Sequence, residues 1–203
     1  MSKRKPKLNI CFCCAGTKAE ESEIAQMYDC VMDPEEWKRN AEAILPKFSP
    51  FDLYQGPGYE QINRTIVKLR TRYNVTSWVF SAGWGILNEQ DSIPSYSATF
   101  SGGHEDKIAA VDQKDWILGV TQHKLPKGTI CVFPESYAKP YRRIWDNLDD
   151  MILIQGTFED REDLGCSMIR TSTTLMEKIV DSQIEEGWNL DPIDWKQLRG
   201  YEV

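Results

Sequence analysis

Short apolar segments alternate along this chain with longer segments whose apolar residues recur at helical spacing. The apolar segments have the length of β-strands, and they cover residues 7–14, 78–80, 129–133 and 151–154. Strands that alternate with helices favour a mainly parallel sheet with helices on both faces. The pattern therefore predicts an α/β fold, a three-layer α/β/α sandwich around a mainly parallel sheet of about four strands.

Two of the predicted helices have clear start signals. Asp33, followed by Pro34 and two glutamates, is typical of a helix N-terminus, and Pro46 stops that helix. Pro57 opens the next helix, whose apolar residues share one face. The residues of that stripe are Tyr59, Ile62, Ile66 and Leu69. We therefore expect the second helix to bury this face.

Basic residues form two groups on predicted helices. One group recurs every four residues on a second face of the helix that starts at Pro57, and it consists of Arg64, Lys68 and Arg72. The other group lies on the helix after the third strand, and it consists of Lys139, Arg142 and Arg143. The first group is compatible with a solvated surface and, alternatively, with a ridge that faces phosphates.

The second strand opens into a long loop that ends near Ser101, and Gly83 and Gly85 interrupt the apolar run at its start. The loop offers flat rings, hydrogen-bonding groups and charges on Ser81, Trp84, Asn88, Glu89, Asp91 and Tyr96. A parallel sheet usually presents its ligand site on such loops, where the carboxyl ends of the strands converge. The segments expected to meet there are 15–17, 81–84, 134–136 and 155–157. We therefore expect a pocket for a planar polar ligand.

The charge of the chain is unevenly distributed. Residues 1–145 contain 19 of the 24 basic and 17 of the 31 acidic residues, so the net charge of -7 comes from the C-terminal quarter. A basic face and a nucleic-acid partner are therefore compatible with the composition. The length of 203 residues predicts a single domain over residues 1–203, with a basic N-terminal tail and an acidic C-terminal wrap.

Neither a membrane segment nor a metal motif is complete. No apolar segment approaches the roughly 20 residues of a membrane span, and the start of the chain lacks the apolar core of a secretory signal. We therefore expect a cytoplasmic protein with no membrane partner.

Cys11, Cys13 and Cys14 have no second close pair to complete four ligands, and the two histidines are His104 and His123. We expect buried thiols, surface histidines, no metal and no cofactor.

Three motifs in order resemble the paired signatures of the YaaA-like (peroxide-stress) and related uncharacterised families. They are Leu53-Tyr54-Gln55-Gly56-Pro57, the stretch 80–87, and Ile93-Pro94-Ser95-Tyr96. The turn at 13–18 is similar to the first turn of the same families, so the resemblance covers roughly residues 8–100. The chain departs from the pattern at Gly83 and Trp84, where relatives often have Lys and an aromatic or His, and at Ser97, where they often have Asp.

These families look related to the uracil-DNA glycosylase superfamily, a three-layer sandwich around a four-stranded parallel sheet. The resemblance implies a DNA glycosylase that hydrolyses the base-sugar bond of a modified base and leaves an abasic site. Its relatives include proteins suspected in repair and in phage defence. If Gly83 and Gly85 open the pocket, it would admit a bulky adduct, for example glucosylated hydroxymethylcytosine in phage DNA.

On this hypothesis, individual side chains receive roles in base recognition. Trp84 or Tyr54 would stack on a flipped base, and Gln55 and Asn88 would read its edge. Ser81 and Thr17 would take a phosphate, and the pocket would be completed by Gly56, Gly85 and Tyr96. Trp84 and Tyr54 are equally expected as core residues beneath the loop, and the glycines as residues required by the backbone.

The same hypothesis needs a carboxylate and a basic surface. Asp91 or Glu135 would stabilise the cationic sugar and position the water. The alternatives are a turn for Asp91 and a helix cap for Glu135. The DNA backbone would contact Arg64, Lys68, Lys139, Arg142 and Arg143.

Two other functions are compatible with these residues. One is a nucleotide or modified-base binding module without hydrolysis, and the other is a base or deoxyribosyl transferase. Binding to DNA would weaken steeply with added salt, whereas binding of a small molecule would not.

Overall fold

The computed structural model describes residues 4–19, 26–27, 32–100, 113–145, 152–154 and 167–169, together with residues 177, 180, 181, 184 and 185. The strands in these ranges are β1 (Lys7–Cys13), β2 (Gln26–Met27), β3 (Lys47–Phe48), β4 (Asn74–Ser81), β5 (Gly85–Asn88), β6 (Ile93–Pro94), β7 (Tyr96–Ser97), β8 (Ile130–Val132), β9 (Ile152–Ile154) and β10 (Ser167–Ile169). The helices are α1 (Pro34–Ile44), α2 (Pro50–Leu53), α3 (Pro57–Arg70), α4 (Gln113–Val120) and α5 (Glu135–Ile144).

One mixed sheet organises the fold. Its strand order is β10-β9-β8-β1-β4-β5, and every neighbouring pair is parallel except β4 and β5. The four strands predicted from apolar segments, β1, β4, β8 and β9, are adjacent within it. The predicted α/β class with a mainly parallel sheet is therefore confirmed, and β10 and β5 extend it at the two edges.

The strand order reverses direction once. The chain passes from β1 to β4 on one side, and then crosses to β8 on the other side of β1. The loops that leave β1 and β8 therefore diverge, and in open α/β sheets the ligand crevice lies at such a point, at the carboxyl ends of the strands. The turn at 14–17 and the start of α5 border this crevice.

The helix starts agree with the sequence signals. The Asp33 carboxylate accepts hydrogen bonds from the backbone N–H groups of Glu35 and Glu36, and α1 follows with Pro34 in its first turn. Helix α3 begins at Pro57 and buries the predicted stripe of Tyr59, Ile62, Ile66 and Leu69. Helix α4 covers Gln113–Val120, and residues 101–112 before it lie outside the described ranges.

The prediction of one long loop after β4 was partly wrong. Residues 85–88 form the strand β5, which pairs antiparallel with β4 from Ser81 opposite Gly85 to Trp78 opposite Asn88. The pairing buries Ile86 and Leu87 on the sheet edge, where a loop would have left them in water. The chain then returns along β6 and β7, which pair with β3 and β2.

The core is rich in aromatic rings. Trp37 of α1 packs against Trp84 and Trp116, each with ring centroids 5.0 Å apart. Phe80 of β4 is surrounded by the rings of Phe100, Phe133, Tyr137, Tyr141 and Trp145. These edge-to-face and tilted pairs fix α1, α4 and α5 relative to the carboxyl half of β4. Within the described ranges, every helix is too short or too polar to cross a membrane.

Candidate functional site

A chain of hydroxyl groups joins the three sequence motifs at the end of β4. Ser81 Oγ donates to the Tyr96 hydroxyl at 2.8 Å, and the Tyr54 and Tyr96 hydroxyls lie 2.9 Å apart. The backbone N–H of Trp84 donates to Ser81 Oγ at 3.0 Å. Tyr54 precedes α3, Ser81 ends β4 and Tyr96 begins β7, so the motifs come from separate elements. The structure therefore brings them together at the carboxyl edge of the sheet.

The end of β1 meets α5 beside this network. Cys14 Sγ lies 2.9 Å from the Tyr137 hydroxyl, and the Cys14 N–H donates to the carbonyl of Phe80. The Tyr59 hydroxyl donates to the carbonyl of Cys13 at 2.7 Å. Thiol and phenol groups from β1, α3 and α5 therefore adjoin the point where the strand order reverses.

The buried phenols are neutral. Burial raises the pKa of Tyr54, Tyr59, Tyr96 and Tyr137 well above the usual range for tyrosine, and neighbouring cysteines raise these pKa values further. Burial also raises the pKa of Cys13 to about 12. The network therefore offers neutral donors and acceptors, which suit the polar edge of a planar ligand and do not exchange protons near neutral pH.

The rim of the crevice is formed by two turns that are bonded to each other. The Gln55 N–H donates to the Thr17 carbonyl at 3.1 Å, and both side chains are exposed. Gly56 has φ +102°, a conformation that favours glycine, and it turns the chain into α3. Lys18 Nζ lies 4.7 Å above the Tyr96 ring. Six predicted substrate-binding residues thus lie together: Thr17, Tyr54, Gln55, Gly56, Ser81 and Tyr96.

Trp84 and Gly85 lie beneath this rim. The Trp84 side chain is 2% exposed and its ring packs at a tilt against Trp37, so it is part of the core. Gly85 has φ +72°, and a Cβ atom there would lie 2.5 Å from Thr121 Cβ. Beside Gly83 the space is filled by the Tyr96 ring. The glycines therefore serve close packing, and the expectation that they open a pocket for a bulky adduct is not supported by this geometry.

Asp91 and Asn88 belong to a different group. The Asp91 carboxylate accepts from the Asn88 N–H at 2.7 Å, and its oxygens lie 2.9 and 3.0 Å from His123 Nε2. Asn88 is level with Trp78 in the sheet, three residues before the end of β4. At about 3.3 Å per residue, this is roughly 10 Å from the carboxyl edge.

This second group contains a residue that the sequence reasoning missed. His123 was expected on the surface, but it is half-buried, with its ring 5.7 Å from Trp78. It lines a cavity of about 90 Å³ together with Lys38, Glu42, Trp84 and Asp91. The sequence around His123 contains no signal for this pairing, because Asp91 is 32 positions away.

The backbone of Glu135 lies at the carboxyl edge of the sheet. It is the first residue of α5, directly after β8 and the two residues that follow it. Tyr137, two positions later, already contacts Cys14 in the crevice. Of the two predicted carboxylates, Glu135 is thus the one whose backbone lies at this edge.

The basic ridge on α3 is covered by acidic residues from the C-terminal part of the chain. Arg64 binds Glu177 through two hydrogen bonds of 2.9 and 3.2 Å. Lys68 lies 3.1 Å from Glu177 and 2.6 Å from Asp181. The nearby Val180 is fully buried, so its side chain packs into the core. The predicted DNA contacts of Arg64 and Lys68 thus coincide with an intramolecular ion-pair cluster.

Replacing Glu177 by Gln is expected to lower stability at neutral pH. Hydrogen bonds from Arg64, and then from Lys68, lower the pKa of Glu177 from 4.5 to about 2. The ion pairs therefore stabilise the fold above pH 4.5, and this contribution is lost as the pH falls towards 2. Urea unfolding at pH 7, 4.5 and 3 measures the effect, which should shrink as the pH falls.

Glu185→Gln is the matched control for this experiment, since Glu185 is an exposed helical residue of the same segment. We expect it to unfold like the unmodified chain at each pH. Equal stability of the Glu177→Gln variant and the unmodified chain at pH 7 would show that the cluster does not hold this segment.

The second basic group lies on α5. Lys139, Arg142 and Arg143 are exposed, and the last two are in the final turn of the helix. Lys139 is four positions after the residue that begins α5, so it is nearer to the crevice. Among the described residues, no group of three or more His, Cys, Asp or Glu side chains is arranged to hold a metal ion.

Comparisons of the chain with protein-family models, with curated proteins and with solved structures found no match. The resemblance drawn from the three motifs therefore stays a prediction. The geometry that brings these motifs together is independent of it.

Proposed function

We propose that the protein is a DNA glycosylase that binds a modified base in the crevice at the carboxyl ends of β1, β4 and β8. The observation that carries this proposal is the hydroxyl network of Tyr54, Ser81 and Tyr96. Each of its members comes from a different one of the three motifs that resemble glycosylase relatives. A shared function of these motifs would account for their meeting at one point.

The chemistry required is compatible with this crevice. A base is held through neutral donors and acceptors at its edge, and buried hydroxyls fixed by one another need little reorganisation to provide them. The C1′–N bond breaks to leave a cationic sugar, water adds to C1′, and its proton passes to a carboxylate. We propose Glu135 for the carboxylate, because it begins α5 beside the crevice. The departing base accepts a proton from solvent.

The proposal includes the three-layer arrangement and the position of the DNA. Phe80 packs under α5, α3 contacts β4, and neighbouring strand residues face opposite sides of a sheet. These contacts support helices on both faces. Lys139, Arg142 and Arg143, which are exposed on α5, would then contact the DNA backbone at the open edge.

An abasic-site assay tests the activity. The protein is incubated with plain DNA, with uracil-containing DNA and with glucosylated hydroxymethylcytosine DNA, followed by alkali. We expect strand breaks in one modified DNA only. The absence of breaks in every modified DNA would overturn the glycosylase proposal for these substrates.

Tyr96→Phe tests the site within the same assay. Removing this hydroxyl leaves Ser81 and Tyr54 without their shared buried partner, which costs about 1 to 3 kcal/mol of stability, and base release should fall at least tenfold. Tyr59→Phe is the control, because it removes a buried tyrosine hydroxyl that does not belong to the network of Tyr54, Ser81 and Tyr96. It should be destabilised by a similar amount but retain base release. Equal base release by the two variants would show that the hydroxyl network takes no part in the reaction.

A binding module without hydrolysis is the second candidate. It is favoured by the neutrality of the network, since the groups that interact with the Tyr54 and Tyr96 hydroxyls are phenols, thiols and the Ser81 hydroxyl. On this candidate, the modified DNA binds through the same Tyr96 and Ser81 hydroxyls but stays intact. Binding that Tyr96→Phe weakens, with no strand breaks, would favour this reading.

A further inference from the structure

A basic groove lies at the amino edge of the sheet, at the opposite end of β4 from the crevice. It has a volume of about 540 Å³, and its lining residues are Arg4, Lys5, Arg70, Tyr73, Asn74, Val75 and Glu89. The volume is within the range of ligand sites in proteins. The proposed glycosylase site does not include this groove.

The groove is built by the start of the chain. Lys5 Nζ donates to the Arg70 carbonyl at 2.6 Å, at the C-terminus of α3. The Asn74 N–H donates to the Pro6 carbonyl at 2.8 Å, where β4 begins. A basic side chain at a helix C-terminus interacts favourably with the helix dipole, so Lys5 anchors the segment 4–6 against α3. Arg4 and Lys5 are thereby held on a folded surface.

The groove is positively charged although the chain is acidic. Its lining contains three cations and one carboxylate, and that carboxylate, Glu89, is paired with Arg70. In the part of the chain that the structure describes, no carboxylate pairs with Arg4 or Lys5. Both residues are exposed, and their positive charges add to that of the exposed Lys7 nearby. This surface therefore has an uncompensated positive charge on a chain of net charge -7.

We propose that this groove binds the phosphate backbone of a nucleic acid. Clustered Arg and Lys side chains next to an Asn and a Tyr are the groups that contact phosphate oxygens, and such contacts are independent of base sequence. On the proposed function, on which this choice of partner rests, the nucleic acid is the DNA that carries the modified base. An acidic protein segment is the competing occupant, and competition with polyglutamate distinguishes it from a nucleic acid.

The position of the groove predicts a dependence on DNA length. The groove and the crevice lie at opposite ends of β4, which has eight residues. At about 3.3 Å per residue the two ends are roughly 25 Å apart, which is the length of about seven base pairs. A duplex that extends fewer than about seven base pairs beyond the modified base cannot reach both sites.

The test measures binding of the full chain to a fluorescent 20-base-pair duplex of unmodified DNA over a salt series. We expect Arg4→Ala with Lys5→Ala to weaken binding about tenfold at low salt and to reduce the salt slope by about 1.8, since each lost phosphate contact contributes about 0.9. Lys114→Ala with Lys124→Ala is the control, because it removes the same charge from exposed positions on and after α4. This control should bind nearly as tightly as the unmodified chain.

Equal weakening by the two double variants would overturn the groove as a specific site, and so would unchanged binding by Arg4→Ala with Lys5→Ala. Displacement of the duplex by polyglutamate as effectively as by unlabelled DNA of equal charge would assign the groove to acidic segments. Unmodified DNA contains no substrate base, so this binding is independent of base release. Groove-dependent binding without strand breaks in any DNA would retain the groove and reject the glycosylase.

Discussion

Replacing Glu135 by Gln is expected to lower base release by at least about 100-fold while the fold is retained. The carboxylate would stabilise the cationic sugar and take the proton of the attacking water, and a neutral amide of the same size does neither. General acid-base groups contribute about 10² to 10⁴-fold to enzymatic rates. Single-turnover base release from the modified DNA, compared with the unmodified chain, measures the loss.

Asp91→Asn is the matched control for this prediction. Asp91 is held by His123 and by the Asn88 N–H, roughly 10 Å from the carboxyl edge, so we expect base release to persist. The reverse result, with activity lost in Asp91→Asn and kept in Glu135→Gln, would move the reaction to the cavity beside His123. Thermal melting of both variants checks that neither has unfolded.

Replacing Gly85 by Ala is expected to destabilise the protein by about 2 to 5 kcal/mol. Its φ of +72° is a left-handed conformation that costs an alanine about 1 to 2 kcal/mol. The added Cβ would also lie 2.5 Å from Thr121 Cβ and 2.7 Å from Thr121 Oγ1, and overpacking of this kind costs about 1 to 3 kcal/mol. The Thr121 hydroxyl accepts from the Ile86 N–H, so moving it also disturbs the start of β5.

Gly128→Ala isolates the contribution of the close contact. Gly128 has φ +76°, and a Cβ atom there meets no atom within 4 Å, so only the conformational cost remains. We expect a loss of about 1 to 2 kcal/mol. Urea denaturation of both variants measures the difference, and equal losses would show that Thr121 moves aside without cost.

The elements with strong local signals could be predicted from the sequence. The side chain of Asp33 caps α1, and Pro57 begins α3, because each signal acts within one turn of its own helix. The four apolar segments became neighbouring strands because strands of a parallel sheet are buried on both faces and therefore consist of continuous apolar residues. Strand β5 was missed because its three buried residues are consecutive, so the sequence shows no alternation of apolar and polar positions there. Only the pairing with β4 makes this segment a strand.

The candidate site also contains residues that local signals predicted and residues whose position depended on the tertiary structure. Six of the predicted substrate-binding residues meet at the rim and the hydroxyl network, since motifs at strand ends converge in a parallel sheet. Asn88 and Asp91 do not, because the unforeseen antiparallel β5 carries them back along β4. Arg64 and Lys68 looked like a ridge for phosphates, but their spacing fits the carboxylates of residues 177 and 181 equally well.

The sequence by itself determined the α/β class, the helix starts, and the motifs that gather at the carboxyl edge. Each of these depends on side chains within a few positions of one another, or on the general rule for parallel strand ends. Only the tertiary structure decided the partners across long separations: Asp91 with His123, Arg64 with Glu177, and Lys5 with the end of α3. A charged side chain does not specify its partner locally, because many groups in the chain would satisfy it, and the packing of the core selects which of them comes within reach.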